Sequence, residues 1–285
     1  QATGTTSTQA LTITVDDAVT SAQGALIVAA TNAVAVDFSA AGVSDAFGNL
    51  VDGDGTTSDD FDATVAKDGD INVSITGTIA DASAQNVTDL NALMNATTGT
   101  VTATIDGNAA ELDGLQATGT TSTQALTITV DDAQIGAAGV TALNTVAAAT
   151  TGTVTASISG NAADLDDLTS DATSAATNAL TIAVNDAASA ASGAAIADAT
   201  NAATVNFSAG GVSDSFASLV TGGGAGTVST NMAKIDAKDA DVNVTVTDAP
   251  LAMDANAVTD MNALLAATTG TVTASISGNA ADLDD

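Results

Sequence analysis

The chain contains no cysteine, histidine, tryptophan, tyrosine or arginine, a single proline, a single glutamate and five phenylalanines. Each absence removes a class of chemistry. Disulfides, Cys or His metal sites, histidine-assisted nucleophiles, arginine clamps on phosphate and aromatic stacking on bases or sugars all need atoms that are missing here. The only cations are Lys67, Lys234 and Lys238, against 34 acids, for a net charge of -31 over 285 residues. Such a field repels nucleic acid and anionic membrane surfaces and makes divalent cations the natural partners. All the acids but Glu111 are aspartates, which favour turns and loop ends over exposed helix faces. No apolar run approaches the roughly 18 residues of a membrane helix, so no membrane insertion is expected. An opening at Gln1 with no methionine or basic leader carries the expectation of neither anchor nor signal, with something removed upstream.

What the chain has instead is alanine, threonine, glycine, serine, valine and aspartate arranged in repeats. With 45% hydrophobic and 13% charged residues it can bury a core. QATGTTSTQALTITVDDA stands at 1–18 and again, letter for letter, at 116–133. TTGTVTASISGNAADLDD occurs at 150–167 and at 268–285, with the variant TTGTVTATIDGNAAELDG at 97–114. VDFSAAGVSDAF, ending at Phe47, returns as VNFSAGGVSDSF, ending at Phe216. Repeats of this kind are the signature of stacked supersecondary units.

Beneath the long copies lies a shorter unit with a period-2 apolar run. Ten strands are predicted, starting at Leu11, Val34, Ile71, Thr100, Leu126, Thr153, Leu180, Thr204, Val242 and Thr271. The spacing of about 27 residues, with one longer insertion in each half, excludes tight hairpins. Segments such as VTDLNALMNA (87–96) and VTDMNALLAA (258–267) have apolar residues three and four apart, and read as short helices. Val87, Leu90, Leu93 and Met94 fall on one face there, with Asn86 or Thr88 as the cap. GNAADLDDL, from Gly160, reads as a single helical turn.

Strand, turn, helix, turn, strand in under thirty residues implies an α/β solenoid of stacked parallel strands with short helical connectors. A right-handed parallel β-helix is the alternative. The chain reads as one continuous array of about ten coils over 1–285, with 11–110 and 180–281 as duplicated halves and 116–179 as intervening coils. Both ends fall inside repeats, and the expectation is a segment of a longer chain or of a filament. At about 4.8 Å per coil, ten coils advance roughly 48 Å.

LTITVDDAQI resembles the leucine-rich-repeat core, with Ile128, Val130, Ala133 and Ile135 at the matching positions. ATIDGNAA places Ala103, Ile105, Asn108 and Ala110 in the same register. The ALTITVDDA and GTVTASISGNAADL units also resemble the giant Asp- and Thr-rich tandem-repeat proteins of bacterial, particularly cyanobacterial, cell surfaces. That resemblance implies an extracellular or cell-surface location, a structural or adhesive role and an association with calcium. The chain has no G-G-x-G-x-D calcium nonapeptide.

Strand alternation turns Ile13, Val15, Val36, Phe38, Val101, Ala103, Ile105, Val154, Ile158, Val244 and Val246 inward. The outward face then carries Thr12, Thr14, Thr102, Thr104, Thr127, Thr129, Thr155, Thr245 and Thr273. This small, hydroxylated and uncharged ladder is a candidate lateral interface. A remote alternative is ice binding. The densest acidic patch, 51–70, offers Asp52, Asp54, Asp59, Asp60, Asp68 and Asp70, alternating carboxylates with intervening glycines that could wrap a calcium ion. The pairs Asp16–Asp17 and Asp131–Asp132 at strand ends are further cation candidates. No catalytic constellation is present and no cofactor is required, calcium being the one candidate. The sequence thus points to a non-enzymatic extracellular structural protein whose coils stack head to tail with copies of itself into a fibre, sheath or surface layer. A calcium-dependent surface adhesin is the alternative.

Overall fold

The computed structural model of the chain describes residues 12–30, 35–38, 41–202 and 204–283. Leu11 and Val34, the expected first residues of two strands, and the first ten and last two residues of the repeat array lie outside the described residues. The described strands are β1 (Thr12–Thr14), β2 (Ala35–Asp37), β3 (Val43–Ala46), β4 (Val73–Ile79), β5 (Thr100–Gly107), β6 (Thr123–Val130), β7 (Thr153–Gly160), β8 (Thr177–Val184), β9 (Val205–Asn206), β10 (Val212–Asp214), β11 (Val244–Val246), β12 (Leu251–Met253), β13 (Val272–Thr273) and β14 (Ile276–Gly278). Twelve helices are described between and after them. They are α1 (Ser21–Ala29), α2 (Phe47–Leu50), α3 (Asp59–Val65), α4 (Ala84–Ala96), α5 (Ala109–Leu112), α6 (Ala137–Ala148), α7 (Ala162–Leu165), α8 (Ala190–Asp198), α9 (Phe216–Leu219), α10 (Thr230–Asp236), α11 (Ala255–Ala267) and α12 (Ala280–Leu283).

This is an α/β fold. Strands β3 to β9 form one open, all-parallel sheet whose strand order is the chain order. Small parallel sheets join β1 to β2, β10 to β11 and β13, and β12 to β14. Parallel neighbours cannot be joined by tight turns, so every connection must cross over, and the helices supply the crossovers. The only antiparallel contacts among the described residues are the bridges Val51–Thr57 and Val220–Val228, which close two loops.

Each of the ten expected runs contains a strand. The added strands β3, β10 and β12 come from runs too short to show alternation. β3 and β10 follow β2 and β9 after Gly42 and Gly211, whose φ angles of 71° and 68° favour glycine. A Cβ on Gly42 would also lie 2.2 Å from the carbonyl oxygen of Asn72. The expected run from Thr271 is divided between β13 and β14.

The chain divides into two compact units. In the first, β5 pairs with β6 over eight residues, from Thr100 opposite Thr123 to Gly107 opposite Val130. Inside, Ala103 stands opposite Leu126 and Ile105 opposite Ile128, and these four are buried together with Val101 and Val130. Helix α4 adds Val87, Leu90, Leu93 and Met94 to this core, the face read from their spacing. It begins earlier than that spacing suggested. Ser83 is its cap and Asn86 the reciprocal partner three residues on, a capping box that neither Asn86 nor Thr88 forms alone. In the second unit Phe207, Leu219, Met232, Ile235 and Val242 are fully buried. The inward residues expected on the strands are buried, except Ile13 on β1 and Val15 just after it, which are half-buried.

Candidate functional site

Of the acidic residues expected to hold a cation, the structure brings Asp52, Asp59 and Asp60 to one cavity and places the others apart from it. Asp52 and Asp54 stand in the loop before α3, where Asp54 accepts a hydrogen bond from the Thr56 hydroxyl (2.5 Å). Asp59 and Asp60 occupy the first turn of α3, behind the Ser58 cap, where the helix dipole favours negative charge. Asp52, Asp59 and Asp60 line one open cavity with Ser21, Asp45, Asn49 and Ser58. Asp68 and Asp70 do not line that cavity. Asp16, Asp17 and Asp131 are exposed and Asp132 is half-buried. Among the described residues, no group of three or more acidic side chains is placed to hold a metal ion.

Several carboxylates instead grip backbone N–H groups of an earlier segment. Asp45 accepts from Ser21 N (3.0 Å) and Ala46 N (2.8 Å), and Asn49 Nδ2 donates to it (2.7 Å). Its counterpart Asp214 accepts from Ala190 N and Ser215 N. Asp186 accepts from Ala162 N at 2.7 Å. Asp68 accepts from Phe38 N at 2.5 Å, and Asp239 from Phe207 N at 2.6 Å. Burial raises both Asp68 and Asp239 above the ordinary carboxylate range; the side-chain hydrogen bonds to Asp70 and Asp241 add to this, against the opposing effect of the phenylalanine amides.

The loss of acids from the loop of the second half also has a structural account. Gly55 N donates to Asp89 Oδ1 (2.7 Å), so the first loop hangs on a carboxylate of α4. In the second half Gly224 N and Gly226 N both donate to Asp260 of α11, each at 2.9 Å. The acid kept in both copies is the anchor in the helix. The sequence signal was there: one aspartate, at the same place, as the single charge in VTDLNALM and VTDMNALL.

The outward threonines are exposed as expected: Thr12, Thr14, Thr102, Thr104, Thr127, Thr129, Thr155, Thr245 and Thr273. Thr78, Thr104 and Thr127 stand in one row across β4, β5 and β6, while Ser213, Thr245 and Thr273 make another across β10, β11 and β13. The ladder is not free of charge or unbroken. Ala125 stands opposite Thr102, Asp106 opposite Thr129 and Asp37 opposite Thr14, because the strands end where the turn-forming aspartates begin.

The threonines that hold the fold are different ones, buried just before the strands. Thr150 donates to Leu126 O (2.8 Å) and accepts from Leu126 N (2.7 Å) and Gly152 N (2.8 Å). Thr97 donates to Ile71 O (2.6 Å), Thr200 to Leu180 O (2.8 Å) and Thr268 to Val242 O (2.7 Å). Each clamps its turn to the preceding strand, at Leu126 of β6 and Leu180 of β8, or to the residue two before that strand, at Ile71 and Val242. Alternation along strands could not reveal them, since they lie in the turns before the strands, TTG at Thr97, Thr150 and Thr268 and TNA at Thr200.

Among the described residues, no helix is long and apolar enough to cross a membrane. Comparison with known proteins found no matching family model, no matching curated protein and no matching solved structure.

Proposed function

We propose that the chain is a non-enzymatic, extracellular structural protein, an α/β solenoid whose coils stack head to tail into a fibre, sheath or surface layer. The observation that carries this reading is the recurrence of one joint. A buried threonine clamps the turn to the preceding strand, or to the residue two before it, at Thr97, Thr150, Thr200 and Thr268, and aspartates grip earlier backbone amides in both halves. Buried threonines and several aspartates thus serve to join one segment to the next. A contact between unlike ends that does not close on itself propagates without limit, which is the geometry of filaments. The many aspartates keep such a surface dispersed in salty surroundings. Electron microscopy of the concentrated protein tests the reading. Filaments with an axial period near 48 Å, or a multiple of it, are expected from roughly 4.8 Å per coil. Particles that stay single at every concentration would refute it.

A calcium-dependent adhesin is the second reading, favoured by the cavity that gathers Asp45, Asp52, Asp59 and Asp60. A melting temperature unmoved by calcium or chelator would dismiss it.

A further inference from the structure

β1 with α1, and β14 with α11 and α12, carry apolar surface that the same residues bury elsewhere in the chain. Ile276 is 50% exposed and Leu283 42%, whereas Ile158 and Leu165, in the letter-for-letter copy at 150–167, are 3% and 0% exposed. Beside them Leu265 is 51% exposed, where the matching Met94 of α4 is fully buried. At the other end Ile13 and Val15 are half-buried, while Ile128 and Val130 in the identical segment 116–133 are 0% and 3% exposed. There Ile13, Val15, Val19, Leu26 and Ile27 line an open, largely apolar groove, with Leu26 69% exposed.

We infer that the groove on β1 and α1 is the docking site for β14 and α12 of a second copy of this chain, in the register of the internal joints. The inference rests on the head-to-tail reading above and names its junction. Two internal joints supply the template, and each contains one of the chain's ends letter for letter. In the first, β5 lies beside β6, whose segment 116–133 is identical to 1–18. In the second, α7, whose sequence AADL is identical to that of α12, packs on α8, the counterpart of α1. Carried over, Ser275 pairs with Thr12, Ile276 with Ile13, Ser277 with Thr14 and Gly278 with Val15 of the second copy.

The flanking bonds transfer as well, and the two templates agree on the first. Asp131 N donates to Gly107 O (3.1 Å) and Asn185 N to Gly160 O (2.9 Å), and both map onto Asp16 N donating to Gly278 O. The bond from Ala162 N to Asp186 maps onto Ala280 N donating to the exposed carboxylate of Asp17. Asp16 and Asp17, first read as cation ligands, become parts of a protein contact.

Because the chain has no cysteine, cross-linking can read the register directly. Two single variants, Thr12→Cys and Ser275→Cys, one of them labelled with ¹⁵N, are mixed and oxidised, and the intact disulfide-linked dimers are weighed. Paired residues on neighbouring strands lie within the roughly 7 Å Cα separation that a disulfide spans. The mixed dimer should exceed either homodimer at least tenfold, and the out-of-register pair Thr14→Cys with Ser275→Cys should lose that excess. Ile276→Asp, checked for its fold by circular dichroism, should sediment as monomer where the parent chain associates. A statistical mixture of dimers, or equal yields from the two registers, would overturn the inference. Filaments without the mixed dimer would sink this junction and leave the structural reading standing. A mixed dimer without filaments would support the junction and sink the fibre, and the absence of both would refute the two together.

Discussion

Thr150→Val replaces a hydroxyl by a methyl of nearly the same volume, so it leaves no cavity and isolates the worth of the turn clamp. Thr150 and Leu126 are each 0% exposed. The variant strips the acceptor from Leu126 N and from Gly152 N, and the donor from Leu126 O. A buried N–H left without a partner costs about 1–3 kcal/mol. Leu126 N incurs that cost in full, whereas Gly152, half-buried, recovers part of its bond from water. The expected loss is therefore about 2–4 kcal/mol. Urea unfolding followed by far-UV circular dichroism measures it, with the denaturant slope unchanged if the compactness of both states is unchanged. Thr155→Val, on the exposed face of β7, is the control and should fall within about 0.5 kcal/mol of the parent. A Thr150→Val chain as stable as the parent, or a control that costs as much, would refute the claim that the buried hydroxyls are the clamps.

Asp68 and Asp239 make a prediction about pH. Both are raised by burial, so the native chain holds their protons at a pH where the unfolded chain, near the ordinary value of 3.8, has released them. Their contribution to stability therefore grows as pH falls from neutrality through the raised values, and levels off below the ordinary one. The double variant Asp68→Asn, Asp239→Asn should lose that part of the rise, and parallel urea midpoints between pH 7 and 4 would count against it. Gly152→Ala would put a Cβ 2.1 Å from Leu126 O, a backbone atom that cannot step aside, and should cost more than about 2 kcal/mol by thermal unfolding. Asp260→Ala should release the loop at 222–226, seen as lost hydrogen-exchange protection at Gly224 and Gly226 with little change at Val242 or Val244. Undiminished protection at both glycines would show that the loop holds itself.

Regularity made the strands legible. Their period-2 runs named the inward residues from Val36 to Val246, and the three- and four-residue spacing of Val87, Leu90, Leu93 and Met94 found the buried side of α4. What stayed hidden had no periodic signature. β3 and β10 are short segments placed by a glycine turn, and the start of α4 is fixed by the Ser83 capping box ahead of its apolar stripe. Which acids grip the backbone was not legible, because composition shows how many carboxylates there are but not which are occupied. Asp45, Asp68 and Asp89 have their oxygens engaged by amides, and that depends on which segments lie side by side. Thr97 and Thr150 were passed over for the same reason.

The clamps and grips of this fold close on main-chain atoms: Thr150 on the N–H and carbonyl of Leu126, Asp186 on the N–H of Ala162, Asp260 on the N–H groups of two glycines. Main-chain atoms are the same whatever side chain they carry. A segment copied by unequal recombination therefore lands beside a neighbour it already knows how to hold, with no compensating substitution needed on either side. The gene can lengthen, shorten or shuffle its units while the joints stay intact. A lineage built this way would leave the kind of record written here, with some copies still identical letter for letter beside others that have drifted in part and kept the grips.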